Sequence, residues 1–447
     1  MWCDLAVEPA KALARVAARS EESVSDLHDD RFRLLGELKR CLALTSLAVL
    51  GFALLLLGVP NSAHAQSANV NCSNPAALKG LLNPAFTWTL QAACSSLSTA
   101  TGATTAVTTI DIAFLTQSTA FVSTPGNPQP NQMGSGLWIR GVGGQNTISS
   151  TGTATTPLAP GTSLTANSQA RMDFGGFQVG ADLGRFNLGA SGINVIVGLT
   201  GGLLDATDHE LAGSGTFGFE IPFVGGYAAA TWGNFFADVL VREDFYSEQV
   251  TAAPFGLSSA GVSGNAINVT GSAGYRFDVG RWFVEPSAGL IWSRLDLNSL
   301  NVPGVPGAAP GSINVPPGVY TIDPVNSLIG RAGVRVGTSV QAGDLGLQPF
   351  VAASVWNEFA SNVTSTFTTT ACPCGPGTVP LNIDTTRVGT FGQFGLGTAV
   401  QLLNTGWLGF VRVDYRTGEF IQGWDVAGGL RYQFAWGTPV AAPIVTK

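Results

Sequence analysis

From Leu137 onward, hydrophobic and polar residues alternate along the chain, and Gly, Asn and Asp interrupt the alternation at intervals. A period of two is typical of strands whose two faces meet different surroundings, and the interruptions mark turns. The pattern predicts an all-β fold of twelve strands, which lie near 137–143, 172–184, 192–204, 215–230, 234–247, 266–278, 281–294, 327–341, 345–359, 387–402, 406–417 and 423–434.

The connections between these strands alternate in length. Connections after even-numbered strands are short, as in 231–233 and 279–280, whereas most connections after odd-numbered strands are long, as in 144–171, 295–326 and 360–386. Outer-membrane barrels have short periplasmic turns, longer external loops and an even number of strands. A soluble sandwich has no reason to alternate in this way. The connections therefore favour a 12-stranded antiparallel transmembrane β-barrel.

The two faces of the strands have the polarity of a membrane barrel. In 281–294, one face carries Trp282, Leu290 and Trp292, while the other carries Glu285. The two Trp lie about 33 Å apart along a strand that rises ~3.3 Å per residue, and a tilt of ~45° reduces this to about 23 Å. That matches the apolar band of ~25 Å between aromatic girdles. The residues predicted for the girdles are Trp282, Trp292, Trp407 and Tyr415.

The opposite face collects charged residues, which are predicted to line the lumen: Arg140, Asp182, Asp238, Arg242, Glu285, Arg331, Arg335, Glu358, Arg412, Asp414, Arg416, Asp425 and Arg431. Two roles stay open for them. They set the ion preference of the lumen, with Arg412, Arg416 and Arg431 as the cationic cluster of an anion-selective pore. Alternatively, they pair across neighbouring strands and hold the barrel in register, which the mixture of signs favours.

Composition agrees with a membrane barrel. Of the 447 residues 45% are hydrophobic and only 11% are charged, against ~25% charged in an ordinary soluble domain. The chain also holds 57 Gly and 25 Phe, a mixture too apolar and aromatic for disorder. A net charge of −7 argues against binding to nucleic acid, because no basic surface is available to neutralise phosphates.

The N-terminal part carries an export signal. Residues 42–59 form one apolar run, preceded by basic residues and followed by Ala63-His64-Ala65. A positive flank, an apolar run and a small-x-small site predict a signal peptide within 1–65 that is cleaved after Ala65. The alternative is a membrane anchor, since the run reaches the lower limit of spanning length.

Export places the remaining cysteines in a compartment that permits disulfides. Cys72 and Cys94 are the candidate pair, which would close a loop near the mature N-terminus. Cys372 and Cys374 lie too close together for a relaxed bridge, and a strained loop disulfide between them stays open. No histidine cluster or C-x-x-C pair supports a metal site, so neither metal nor cofactor is predicted.

His209 lies in Asp208-His209-Glu210, which has the composition of an acid–base or metal cluster. It falls in the connection 205–214, where charged residues are normally solvated, and its neighbours point in different directions. The chain lacks G-x-S-x-G, H-E-x-x-H and P-loop motifs. The sequence therefore predicts no catalytic residue and no enzyme.

Two segments flank the predicted barrel. In 97–123, Val107, Ile110, Phe114 and Phe121 fall at helical spacing, which makes this segment a candidate helix for the lumen. A disordered linker is the alternative, because many Thr residues lower helix propensity. We expect 66–134 to be a short passenger or linker, 135–436 the barrel, and 437–447 a C-terminal extension.

Several stretches of the chain resemble the translocator barrel of autotransporters. They are GLWIRGVGG (136–144), FGGFQVGADLGRF (174–186), PFVGGYAAATWGNFFADVLVR (222–242), TGSAGYRFDVGRWFVEPSAGLIWSR (270–294), LQPFVAASVWNEF (347–359), TGWLGFVRVDYRTG (405–418) and GWDVAGGLRYQF (423–434). The resemblance implies a monomeric barrel that is inserted by the barrel-assembly machinery into the outer membrane of a Gram-negative bacterium. It further implies a helix in the lumen and a passenger at the cell surface. The chain departs from the family pattern in continuing past Trp436 and in its short passenger, which lacks β-helix repeats.

The sequence thus predicts a barrel, in contact with outer-membrane lipid, that anchors or exports its short N-terminal segment by type V secretion. A porin-like channel, with 66–130 left in the periplasm, is the first alternative. Surface adhesion through the loops 144–171, 295–326 and 360–386 is the second.

Overall fold

In a computed structural model of the protein, the described residues are 68–69, 108, 111, 123–125, 128–155, 163–211, 215–305, 317–369, 379–403, 405–435 and 444–446. They belong to the larger of two units into which the chain divides, 61–447. The predicted signal segment, its cleavage after Ala65 and the pairing of Cys72 with Cys94 lie outside the described residues.

Long strands form one closed antiparallel sheet. They are β1 (Gln132–Thr155), β2 (Ser163–Phe186), β3 (Ile193–Glu210), β4 (Thr216–Trp232), β5 (Phe235–Ala252), β6 (Leu257–Tyr275), β7 (Trp282–Leu297), β8 (Val325–Thr338), β9 (Leu345–Glu358), β10 (Thr390–Leu402), β11 (Trp407–Gly418) and β12 (Ile421–Ala435). Each pairs with the next, and β12 closes the ring on β1 from Gly134↔Ala435 to Ile148↔Ile421. The predicted barrel of twelve antiparallel strands is confirmed.

One end of the barrel carries only tight turns and receives both ends of the barrel chain. Gln132 of β1 pairs there with Phe186, and Ala435 of β12 pairs with Gly134. The turn between β4 and β5 needs a left-handed residue, which Gly233 supplies at a φ of 56°. We refer to this as the short-turn end and to the opposite end as the long-loop end.

Several predicted loops at the long-loop end are strands. The connections predicted at 144–171, 205–214 and 248–265 consist largely of β1, β2, β3, β5 and β6, which run on well past the ends expected from the sequence. The segments 295–326 and 360–386 each contain paired strands as well. Leu300–Val302 pairs with Gly318–Ile322, and Val363–Thr369 pairs with Val379–Thr385.

These added strands extend the barrel beyond β8 to β12. Gly318–Ile322 pairs with Val363–Thr369, and 382–385 pairs with 152–155 at the top of β1. On the other side, the Asn298 N–H donates to the Ser263 carbonyl at 2.9 Å. We call this part the extension. It comprises the tops of β1 to β7 and the two added hairpins.

The inner face of the extension is apolar. Its buried cluster includes Met172, Leu204, Phe217, Phe219, Ile221, Val250, Phe255, Tyr320, Phe367, Leu381 and Ile383. The sequence predicts loops in this part of the chain, so an apolar interior was not expected here. Because water meets the outer surface of the extension, burial of apolar side chains has to occur on the inside.

Few residues before the barrel are described. Ala68–Asn69 pairs in parallel with β2 at Leu164 and Thr165, and Ser123–Pro125 pairs with Ile444–Thr446. Within the candidate helix 97–123, Thr108 and Asp111 are helical and buried. Ser123 at its end is in a strand, and the other residues of that segment lie outside the described residues, so the helix stays a prediction. In the described part of the chain, no helix has the length and apolarity to cross a membrane.

Candidate functional site

The inner wall of the barrel between the short-turn end and the extension is polar. All the charged residues predicted for the lumen lie on this inner side of their strands, buried or partly buried: Arg140, Asp182, Asp238, Arg242, Glu285, Arg331, Arg335, Glu358, Arg412, Asp414, Arg416, Asp425 and Arg431. The period of two places them there, because inner and outer positions alternate along every strand.

The outer side of the same strands is apolar. The predicted girdle residues Trp282, Trp292, Trp407 and Tyr415 are exposed on it. Further exposed aromatic residues, which the prediction omitted, lie with them: Trp232, Phe235, Tyr275, Phe277, Trp424 and Phe434. An apolar outer surface with aromatic side chains at both margins is that of a barrel in a lipid bilayer.

One connected group on the inner wall ties β12 to β2 and β4. Arg431 donates to both carboxylate oxygens of Asp182 at 2.7 Å. The Tyr227 hydroxyl donates to Asp182 at 2.6 Å, and the Trp138 indole N–H donates to that hydroxyl at 2.7 Å. A bidentate pair with further hydrogen bonds is the arrangement in which buried charges are best compensated.

A glycine makes this bridge possible. Gly136 of β1 lies between the two partners, opposite Asp182 on one side and Gln433 on the other. A Cβ there would lie 2.8 Å from the Asp182 carboxylate and would overlap the Arg431 guanidinium. Sequence patterns show which face a residue occupies, but not that a glycine lets two side chains meet across a strand.

Other charges pair within or between neighbouring strands. Arg242 and Asp244 lie 2.7 Å apart, and the Asn268 amide also donates to Asp244 at 2.6 Å. Arg335 donates to Glu285 at 2.7 Å. Asp244 was absent from the predicted lumen residues, although its even-numbered position on β5 places it on the same face as Asp238 and Arg242.

The predicted cationic cluster is neutralised by carboxylates. Arg412 donates to both oxygens of Asp414 at 2.6 Å, Arg416 forms an ion pair with Asp425, and Arg431 binds Asp182. Every member therefore has an acidic partner. This pairing favours the register-holding role over that of an anion-selective constriction.

Two inner arginines donate hydrogen bonds to neutral side chains. The Arg140 guanidinium donates to the Gln178 amide oxygen at 2.7 Å. Arg331 donates to the Ser287 hydroxyl at 3.1 Å and lies 5.7 Å from the Trp356 ring centroid. Both arginines also interact electrostatically with Asp238, so the acidic side chains of the wall reach them as well.

Glu358 has a different place from the other predicted lumen residues. It lies where the extension meets β8 to β10, and it accepts from the Ser327 hydroxyl at 2.5 Å and from the backbone N–H groups of Leu328 and Ala360. Arg387 lies 3.8 Å away and donates to the Asn326 carbonyl. The Glu358 carboxylate thus links the end of β9 to β8 and to the segment that precedes β10.

Part of the N-terminal segment lies inside the barrel. The inward Ser293 hydroxyl of β7 donates to the Asp111 carboxylate at 2.7 Å, and both side chains are buried. Thr108, one helical turn away, is 1% exposed. The inner wall of the barrel therefore binds part of the protein's own N-terminal segment.

The extension holds two buried carboxyl groups in apolar surroundings. Burial, and secondly the charge of Glu210, raises the pKa of Asp208 to about 7. Burial, and secondly the charge of Asp208, raises the pKa of Glu248 to about 8. No side-chain donor in the described part of the chain reaches the Asp208 carboxylate. Both lie above the apolar outer band, which ends on β3 at the outward Asp205.

His209 does not join them. It lies on strand β3 and not in a loop, and it faces outward, opposite Arg171 of β2. Its neighbour Asp208 faces inward. Among the described residues there is no cluster of three His, Cys, Asp or Glu side chains able to hold a metal ion.

The family model of the Autotransporter beta-domain matches residues 137–414. Among solved structures, the chain is similar to the beta domain of the Bordetella autotransporter Brka (21% identity, 67% of this chain and 98% of that chain covered, TM-score 0.44). It is also similar to the transport unit of autotransporter AIDA-I from Escherichia coli (11% identity, 74% and 98% covered, TM-score 0.45). A third is the translocator domain of autotransporter NalP from Neisseria meningitidis (16% identity, 69% and 91% covered, TM-score 0.43). No curated protein matches the chain.

Proposed function

The chain belongs to the autotransporter family, whose β-domain covers more than half of it, and on this premise we propose that the barrel carries the start of its N-terminal segment 66–134 to the cell surface and anchors it there. The protein is an outer-membrane barrel of a Gram-negative bacterium. Its short-turn end faces the periplasm and its long-loop end faces outward, as in other such barrels.

The order of N-terminal residues along the barrel axis carries this proposal. Ala68 and Asn69 pair with the extracellular tip of β2. Asp111 lies inside, on Ser293. The Pro128 carbonyl accepts from the Asn187 amide at the periplasmic turn between β2 and β3. A segment that runs from outside, through the lumen, to the periplasmic start of β1 has the path of an exported passenger.

The polarity of the inner wall suits the passage of this segment. The segment 97–123 is rich in Thr, Ser and Ala, and a chain inside a barrel must find partners for its backbone polar groups. The inward Ser293 hydroxyl offers a hydrogen bond, which the Asp111 carboxylate of this segment accepts. The paired charges, such as Arg412 with Asp414, hold little net attraction for a passing side chain.

The proposal includes how the barrel is assembled. The barrel works as a monomer, since the closed ring leaves no strand edge free within the membrane. The barrel-assembly machinery inserts it into the outer membrane. The segment stays attached after export, because the linker lacks an Asn-Asn cleavage site. No step in this function requires a catalytic residue.

An epitope tag inserted after Ser67 tests the proposal on intact cells. We expect added antibody and protease to reach this tag without permeabilisation. A matched control carries the same tag after Gly343, in the periplasmic turn between β8 and β9, and is reached only after the outer membrane is opened. If the Ser67 tag behaves like the Gly343 tag, the segment is periplasmic and the porin-like alternative replaces the proposal.

A further inference from the structure

In the described part of the chain, the extracellular tip of β2 has an edge that no barrel strand covers. β1 pairs with β2 along its whole length, from Ser163 to Phe186. On its other side β2 pairs with β3 from Ala170 onward, and the Leu211 N–H adds a bond to the Gln169 carbonyl. In the described part of the chain, 163–168 therefore has a second neighbour only at Leu164 and Thr165, which pair with Ala68 and Asn69.

This edge lacks the features that normally protect one. Six residues at ~3.3 Å each give about 20 Å of edge, on which alternate N–H and C=O groups point away from the sheet. Natural edges are blunted by charged residues, Pro or bulges. The sequence SLTANS (163–168) contains no charge and no Pro, and its register with β1 is unbroken. Such an edge is able to accept another strand.

The start of the predicted passenger matches this edge chemically. Residues 66–71 read QSANVN, again without charge or Pro. Two of these residues already pair in parallel, Ala68 with Leu164 and Asn69 with Thr165. Strand addition takes its affinity from main-chain hydrogen bonds, so two polar, uncharged strands suffice.

We propose that the exported N-terminal segment docks as an additional parallel strand on the free edge of β2, which holds it against the extracellular tip of the barrel. This inference rests on the proposed function, since the segment must first reach the cell surface. Docking displays 66–71 at a fixed place and at the same time covers an edge that could otherwise pair with a second barrel.

Disulfide trapping tests the docking. The background is the chain with Cys72, Cys94, Cys372 and Cys374 replaced by Ser, and the trap is N69C with T165C. Neighbouring strands lie ~4.8 Å apart, within the Cα separation of about 4.4–6.8 Å that a disulfide requires. The matched control is N69C with T153C. Thr153 pairs with Thr165 from the other side, so it lies two strand spacings from Asn69.

Cells are treated with a membrane-impermeant maleimide, and disulfides are mapped by mass spectrometry. We expect N69C alone to be labelled on intact cells, N69C/T165C to lose the label through an intramolecular disulfide, and N69C/T153C to keep it. If N69C/T165C is labelled like N69C alone, docking is wrong while export stands. If N69C is labelled only after permeabilisation, the proposed function itself fails.

Two further results are informative. A disulfide-linked dimer of N69C/T165C would overturn the intramolecular docking, because the occupant of the edge would then be a second copy of the chain. If the Ser background does not assemble, the same pairs are placed in the wild-type chain. Peptide mapping of a 69–165 disulfide then decides, with the 69–153 pair as the control.

Discussion

The inner face of β5 is ionic within the membrane and mainly apolar above it. Asp238, Arg242 and Asp244 face inward in the lower part, whereas Val250 and Ala252 face inward near the top. The outer face changes in the opposite sense. The apolar outer residues of the lower strand give way to Ser247, Gln249 and Thr251. The strand keeps its period of two, but the apolar positions move from one face to the other.

The neighbouring strand β4 changes in the same way. Its outer face has Val224 in the membrane and Glu220 above it, while Phe217 and Phe219 fill the inside of the extension. Lipid surrounds the lower part and water surrounds the upper part, so the face that is removed from water differs. Whether the inner or the outer face of a barrel strand is apolar therefore depends on whether water or lipid surrounds the barrel at that height.

Breaking the ionic half should have the largest effect. Asp182→Ala leaves the Arg431 guanidinium buried without its bidentate partner. We expect the free energy of unfolding, measured by urea titration in lipid vesicles, to fall by about 4 kcal/mol, as for other broken buried pairs. The double variant D182A/R431L should recover most of this loss. An equally unstable double variant would show that the pair is not the cause.

Breaking the apolar half should cost slightly less and should stay local. Leu204 of β3 is 0% exposed inside the extension, whereas Leu199 of the same strand is 74% exposed on the lipid face. We expect Leu204→Ala to cost about 3 kcal/mol and to speed amide exchange in the extension, with the membrane half unchanged. Leu199→Ala is the matched control: it changes a side chain that lipid covers, so it should leave amide exchange in the extension unchanged. Uniform acceleration along β3 would mean that the two halves unfold as one unit.

The same contrast predicts a pH dependence that is confined to the extension. Burial raises the pKa of Asp208 to about 7 and that of Glu248 to about 8. The folded extension thus binds more protons than the unfolded chain. Its stability is fully present below pH ~4, the ordinary pKa of these groups, and is lost as pH rises through 7 to 8.

Amide exchange in the extension should therefore rise by about tenfold or more between pH 6 and 8, after correction for the intrinsic rate. Asp208→Asn should remove part of this rise. Glu210, Tyr246 and Tyr320 are the other titratable groups near the pair, and they stay in place in this variant. A pH response of equal size in the membrane half would separate the effect from these two carboxyl groups.

The smallest effect is expected on the outer face of the extension. His209→Ala and Arg171→Ala change side chains that are opposite each other on β3 and β2 and that face water. We expect each to alter the free energy of unfolding by less than ~0.5 kcal/mol, as at other exposed positions. Surface display of the Ser67 tag should be unchanged. A loss of display in H209A would give this histidine a function that its outward position does not suggest.

Much of the membrane half could be predicted from the sequence. Lipid imposes one polarity on every strand there, so the alternation around Trp282, Glu285 and Trp292 identified the strand, its faces and its girdle residues. The partners of the charges could not be predicted, because they depend on register. Arg431 meets Asp182 across an intervening strand, and only the position of Gly136 between them allows it.

The extension was mistaken for loops for a physical reason. Above the membrane, apolar residues such as Phe219 and Val250 occupy the inner face, and the reading of the strands assumed that apolar residues always face outward. Where the alternation with apolar residues outside ends, as near Asp205, the sequence pattern predicts the end of the strand. A second alternation in the opposite phase marks the tops of β3 and β5 in the sequence.

Cysteine labelling tests directly whether the N-terminal segment runs from the cell surface through the lumen to the periplasm. Single variants N69C, T108C and Q129C are made in the chain whose four predicted mature cysteines are Ser, and cells are treated with an impermeant maleimide before and after permeabilisation. If the segment follows this path, we expect N69C to be labelled on intact cells, Q129C only after permeabilisation, and T108C, which is buried in the barrel, in neither case. Labelling of N69C and Q129C only after permeabilisation would place the whole segment in the periplasm and contradict the account.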